Sequence, residues 1–199
     1  MYKIIKIENN LIKVENVFPY ETCNKILKIF KKENKWKLIS QIRKGHYAHV
    51  FSSKSKLMPE KSETYIAKFY RNDKLSKNLY INKSLKKYIE PILRRLKIKH
   101  KLFDIRCHKF INGNFLRSHY DGYAGTHAIT INLNKQWKAD WGGLLCVITG
   151  SKKEKIHALC PTWNTLNILS SNKKKSPHFV TNIESYAKEA RYSITIFVK

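Results

Sequence analysis

Three side chains in this 199-residue chain are of the types that hold a redox metal. His119 and Asp121 stand two residues apart in Arg117-Ser118-His119-Tyr120-Asp121, and His178 follows 57 residues after the aspartate in Ser176-Pro177-His178-Phe179-Val180. Two imidazoles and one carboxylate on one face of an octahedral ion leave three positions open, a set suited to ferrous iron that must also take a co-substrate and dioxygen. Further on, Arg191 opens the run Tyr192-Ser193-Ile194-Thr195-Ile196-Phe197. A permanently charged, planar guanidinium beside a bulky strand is placed to receive an anionic co-substrate. The His-x-Asp triplet alone is weak evidence. The chain has eight histidines, and Asp121-Gly122 also reads as a surface turn.

These side chains meet only if strands carry them. Residues i and i+2 of a strand point the same way, so His119 and Asp121 converge as one strand ends. After Lys101 the sequence becomes a series of short apolar runs divided by breakers: Asn112-Gly113-Asn114, Gly122, Gly142-Gly143, Gly150-Ser151 and Pro161. Strands are predicted near 104–110, 115–120, 126–133, 144–148, 155–159, 165–169, 177–180 and 193–198. That series suggests a double-sheet jelly roll. In it the seventh strand runs beside the second and the eighth starts at Arg191, so the four polar groups line one barrel mouth.

The N-terminal half supports this barrel. Residues 2–18 read as one or two short strands turning at Asn9-Asn10. Pro19 opens an amphipathic helix with Cys23, Ile26, Leu27 and Phe30 on one face and Lys25, Lys28, Lys31 and Lys32 on the other. Strands are predicted within 36–51 and 64–70, with a polar loop over 52–63. Leu85, Tyr88, Ile89, Ile92, Leu93 and Leu96 form a second amphipathic helix, with Pro91 opening or kinking its last part. The fold class is α+β, mainly β: a double-stranded β-helix (jelly roll) with supporting N-terminal helices. With no internal repeat, the chain reads as one domain, 1–100 as helical support and outer strands and 101–199 as jelly-roll core.

The formal charge of +26 suits a polyanionic partner such as nucleic acid. The excess is nearly all lysine, in company with many Asn and Ile, which compositional bias toward AT-rich codons also produces; that account is favoured. Four cysteines without Cys-x-x-Cys spacing point to a reduced, intracellular protein. The early lysines of MYKIIKIENN do not suit a secretory signal, and no apolar run approaches the roughly 18 residues of a membrane span. A cytoplasmic protein with no membrane partner is expected.

With its spacing read as a whole, the stretch from Asp104 to Lys199 resembles the Fe(II)- and 2-oxoglutarate-dependent dioxygenases of the prolyl 4-hydroxylase superfamily, most of all the hypoxia-inducible-factor-type prolyl hydroxylases. The matching residues are His119-x-Asp121, Leu133-Asn134-Lys135-Gln136-Trp137, Trp141-Gly142-Gly143-Leu144, Ser176-Pro177-His178-Phe179-Val180 and Arg191-Tyr192-Ser193-Ile194-Thr195. The resemblance implies that His119, Asp121 and His178 bind Fe(II), with dioxygen as co-substrate and ascorbate as a possible helper. Arg191 would pair with the distal carboxylate of 2-oxoglutarate, with Thr195 as a hydrogen-bond partner. Asn132 stands where the family often has a tyrosine, and would offer a hydrogen bond in its place. The carboxylate of Asp121 favours hydroxylation, since related halogenases lack it. The family usually has a glycine after the position of Pro161, where Asn164 stands nearby, and asparagine tolerates left-handed backbone better than most residues.

The reaction implied is hydroxylation of a prolyl residue in a protein or peptide, with decarboxylation of 2-oxoglutarate to succinate; a small molecule, saccharide or nucleic-acid component is the alternative substrate. A non-catalytic basic jelly roll that grips nucleic acid is the alternative of another class. A cupin-like isomerase or lectin would have no use for Arg191. Loops 42–62 and 122–126 are expected to choose the substrate. His108, His127 and His157 read as structural or surface histidines, His127 being the nearest to the site. Trp137, Trp141 and Trp163 read as packing residues, and Gly142-Gly143 as a place where strands pass closely.

Overall fold

The computed structural model describes residues 2–44, 64–98, 101–119, 121, 125–149, 155–170 and 177–199. The described chain runs β1 (Lys3–Glu8), β2 (Leu11–Glu15), α1 (Tyr20–Lys32), β3 (Lys37–Lys44), β4 (Thr64–Asn72), α2 (Asp73–Ser76), α3 (Leu79–Arg95), β5 (Leu102–Phe110), β6 (Phe115–His119), β7 (His127–Asn132), β8 (Leu145–Thr149), β9 (Lys155–Leu159), β10 (Thr165–Ser170), β11 (His178–Val180) and β12 (Arg191–Val198). All eight strands expected after Lys101 form. The loop expected over 52–63 lies outside the described residues.

The strands join in the order β1-β2-β10-β7-β12-β5-β4-β6-β11-β8-β9, with β3 paired to β4. Every pairing is antiparallel. The sheet curls into a jelly roll. β4 is the corner: residues 70–72 pair with β5, while Ala67 and Lys68 pair with β6. The curl sets β7, β10 and β12 opposite β6, β8 and β11, so one cavity is lined from both sides.

Strand alternation decides what each face does. On β12, Tyr192, Ile194, Ile196 and Val198 join the same buried cluster as Ile129 and Ile131 of β7 and Leu166 and Ile168 of β10. Cys23, Ile26, Leu27 and Phe30 of α1 and Ile81, Leu85, Ile89, Ile92 and Leu93 of α3 complete it. Burying each aliphatic side chain contributes roughly 1.5–3 kcal/mol, so the two helices are fastened to the sheet by their apolar faces. The alternate residues Arg191, Ser193, Thr195 and Phe197 face the cavity.

The helix ends follow local signals. Pro19 precedes α1 at φ −53°. The side chain of Asn78 accepts from Ile81 N at 3.1 Å and starts α3, which runs unbroken through the exposed Pro91. The entry from β2 to α1 is fixed by Asn164. Its side chain accepts from Phe18 N (2.9 Å) and donates to Phe18 O (2.7 Å) while its backbone sits at φ 55°. The left-handed turn expected there is present, and the asparagine adds a clamp that glycine would not.

Candidate metal centre and anion pocket

β6 and β11 are neighbours in register, with His178 directly opposite His119. Their rings lie 4.3 Å apart. Asp121 follows just past the end of β6, its Oδ1 3.6 Å from His119 Nε2 and its Oδ2 3.2 Å from His178 Nε2. One ligand atom from each of the three residues lies within 4.8 Å of the other two. Metal–ligand bonds of about 2.0–2.2 Å at right angles would separate neighbouring ligand atoms by roughly 3 Å, close to what is seen. His119 Nδ1 lies 2.9 Å from Arg117 O. A carbonyl only accepts, so Nδ1 carries a proton and Nε2 is the nitrogen left to serve as a metal ligand. Burial works against ionising Asp121, but the two imidazoles outweigh it and hold the carboxyl well below its usual range.

Beside the triad is a cavity of about 100 Å³. Its far side is made by Arg191, which is 1% exposed. The guanidinium lies over the ring of Phe110 at 5.1 Å. Its Nε has no hydrogen-bond partner, and among the described residues no carboxylate pairs with it. Burial lowers its pKa to about 10, which leaves it charged at neutral pH. A buried cation without a counter-ion is costly. The site therefore fits a ligand that brings a carboxylate.

Two motifs position Arg191. Asn134, fully buried, spans the backbone around it: its Oδ1 accepts from Tyr192 N (2.8 Å) and its Nδ2 donates to Ala190 O (2.7 Å). Gly142 and Gly143 have φ of +70° and +62°. A side chain at Gly142 would collide with the Asn182 carbonyl, and one at Gly143 with Ile183 and the Arg191 stem. The first glycine lets the backbone of Asn182 pass closely; the second leaves room for the guanidinium arm. Trp137 and Trp141 pack edge to face beside them, and Trp137 Nε1 donates to Gly142 O.

The remaining expectations divide. Thr195 lines the cavity, with its Oγ1 3.3 Å from His108 Nδ1. Asn132 stands apart from the cavity lining: its Nδ2 donates to Thr165 Oγ1 at 3.1 Å and its Oδ1 is buried without a partner. His127 contacts Thr126, and His157 lies near Thr149 and Glu8. His108, read from sequence as structural, is the one of the three that lines the cavity. Arg106 and Phe110, its alternate neighbours on β5, line it too, and neither was singled out in the sequence. Their signal was the alternation of residues 106, 108 and 110. Of the substrate-choosing loops, 45–62 and 122–124 lie outside the described residues.

The sequence matches the family model of the 2OG-Fe(II) oxygenase superfamily over residues 105–199. By this match, residues 105–199 carry the sequence of a 2OG-Fe(II) oxygenase. The oxygenase is an enzyme that works with Fe(II) and 2-oxoglutarate. No curated protein matches it in sequence. Its fold is similar to a prolyl-4-hydroxylase from Pseudomonas putida, with a TM-score of 0.62 at 15% identity over 96% of this chain and 92% of that one. A prolyl hydroxylase from Trichoplax adhaerens, solved with a hypoxia-inducible-factor peptide fragment, gives 0.59 at 16% identity, covering 96% and 83%. A viral collagen prolyl hydroxylase from Paramecium bursaria Chlorella virus-1, solved with 2-oxoglutarate, gives 0.57 at 13% identity, covering 96% of each chain. Among the described residues no helix is long and apolar enough to cross a membrane.

Proposed function

We propose that this oxygenase hydroxylates a prolyl residue of a protein or peptide, with His119, Asp121 and His178 holding Fe(II) and Arg191 receiving the distal carboxylate of 2-oxoglutarate. The observation that carries this reading is the single cavity with the His–Asp–His cluster on one side and a sealed, unpaired guanidinium on the other. The chemistry supplied by bound Fe(II) and 2-oxoglutarate is hydroxylation of a C–H bond with dioxygen, coupled to formation of succinate and CO2.

The chain's own residues bind, orient and exclude. His119 is held in one tautomer by Arg117 O. Asp121 stays ionised, so its charge offsets that of a divalent cation. Arg191 fixes one end of the co-substrate, and Thr195 offers a hydroxyl along the same wall. Leu116, Leu145 and Val180 give the cavity an apolar side that keeps water from the reacting carbon. Residues 1–199 act together as one catalytic domain in this reading, in the cytoplasm, where its four free cysteines stay reduced.

Support for a prolyl substrate comes from the three prolyl hydroxylases of similar fold, one of them solved with a peptide. Iron-loaded protein given 2-oxoglutarate, oxygen and ascorbate is expected to form succinate and to add one oxygen to a proline in a proline-rich peptide. Oxygen gained only by a free metabolite would replace the prolyl substrate with a small one. Normal turnover by His119→Ala would overturn the ligand assignment.

A further inference from the structure

We propose that His108 is a positioning residue for the co-substrate: it sets the direction of the Thr195 hydroxyl, so that Thr195 donates to the carboxylate held by Arg191. This rests on reading the cavity as a 2-oxoglutarate site. β5 and β12 run side by side, with Ser193 opposite His108 and Thr195 opposite Arg106. The His108 ring stands on the cavity wall with Nδ1 3.3 Å from Thr195 Oγ1. It is braced edge-on by Phe69 at 5.1 Å and Phe110 at 6.3 Å. Phe110 is also the ring under the Arg191 guanidinium. Histidine and arginine are thus set against one aromatic side chain, with the threonine hydroxyl beside the histidine.

A hydroxyl has one proton to give, and a neutral imidazole has one donor and one acceptor nitrogen. If Nδ1 accepts, Thr195 gives its proton to the ring and turns only lone pairs to the cavity, which repel a carboxylate. If Nδ1 carries the proton, it donates to Oγ1 and leaves the threonine proton free for the anion. Hydrogen bonds to an ionised acceptor are roughly twice as strong as neutral ones, so a bound carboxylate selects the second tautomer. Burial and the guanidinium groups of Arg106, Arg191 and Arg71 keep the imidazole neutral, with a pKa of about 3. One proton is therefore always available for this exchange, and never two.

The test is calorimetric binding of 2-oxoglutarate to iron-loaded protein under anaerobic conditions. Four variants are compared: His108→Phe, His108→Asn, His108→Gln and Thr195→Val. Asparagine places an N–H near the Nδ1 position and is expected to keep affinity within about threefold, while His108→Phe and Thr195→Val each lose about tenfold. Glutamine places its N–H near the Nε2 position and loses as much as phenylalanine, which decides the matter if His108→Phe does not fold. The double variant His108→Phe/Thr195→Val should bind no more weakly than Thr195→Val alone, because both act through one hydrogen bond. Manganese(II) affinity should be the same in all of them. Unchanged affinity in His108→Gln, losses that multiply in the double variant, or an asparagine variant as weak as the glutamine one overturns the role of His108. Wild-type protein that does not bind 2-oxoglutarate overturns the cavity assignment itself.

Discussion

Gly143 leaves open the space in which the Arg191 arm lies: a methyl group at Gly143 would stand 3.1 Å from Arg191 Cδ and overlap Ile183 Cδ1. Gly143 also sits at φ +62°, where a residue with a Cβ is strained by roughly 1–2 kcal/mol. Gly143→Ala is therefore expected to displace the guanidinium. The measurement is 2-oxoglutarate affinity, which should fall by about tenfold or more, while manganese(II) still binds at the triad. Equal loss of both ligands would point to general unfolding instead.

Asn134 makes two buried bonds to the backbone on either side of Arg191. Asn134→Ala would strand Tyr192 N and Ala190 O, and each unsatisfied buried group costs about 1–3 kcal/mol. Thermal unfolding should show a loss of about 2–5 kcal/mol on that basis. Asn134→Asp keeps the acceptor for Tyr192 N and loses the donor to Ala190 O, so it should fall between alanine and wild type.

A divalent ion at the triad would tie β6 to β11 through His119 and His178. Metal at a hundred times its dissociation constant stabilises the folded state by about 2.7 kcal/mol. Adding manganese(II) to metal-free protein should raise the melting temperature, and a chelator should reverse the gain. In His178→Ala neither addition should move it.

The imidazole of His108 is held near pKa 3 in the folded state, by burial first and then by Arg106, Arg191 and Arg71. In the unfolded chain it titrates near 6.5. The folded pKa is the depressed one, so the unfolded state binds the extra proton. Its contribution to stability is complete above about pH 6.5 and falls as the solution is acidified, by at most about 1.4 kcal/mol per pH unit. Denaturation profiles of wild type and His108→Asn should converge between pH 6.5 and 4. Parallel profiles would place the ring in solvent.

Much of this was legible because the chemistry rides on strands. Period-two alternation puts His119 and Asp121 on one side and Arg191 and Thr195 on another, and breakers mark where each strand stops. What was not legible depends on register between strands far apart in sequence. Asn132 lies opposite Thr165 of β10, which takes its amide; nothing in the local sequence shows that neighbour. His108 reads as any half-polar strand residue until β12 is laid beside β5 and brings Thr195 to its ring. The start of α3 was missed for a local reason. Leu79 is 68% exposed, so the first turn breaks the apolar stripe, and the signal is instead the Asn78 cap.

The stretch that matches the superfamily, 105–199, holds every residue of the pocket's chemistry, yet its outer wall belongs to α1 and α3. Cut free of them, Ile129, Ile131, Ile194 and Ile196 would form a bare greasy panel, and β10 would lose β2 as its partner, leaving a sticky rim of open peptide groups. An expression clone trimmed to the recognisable half would be driven toward inclusion bodies rather than toward a smaller catalyst.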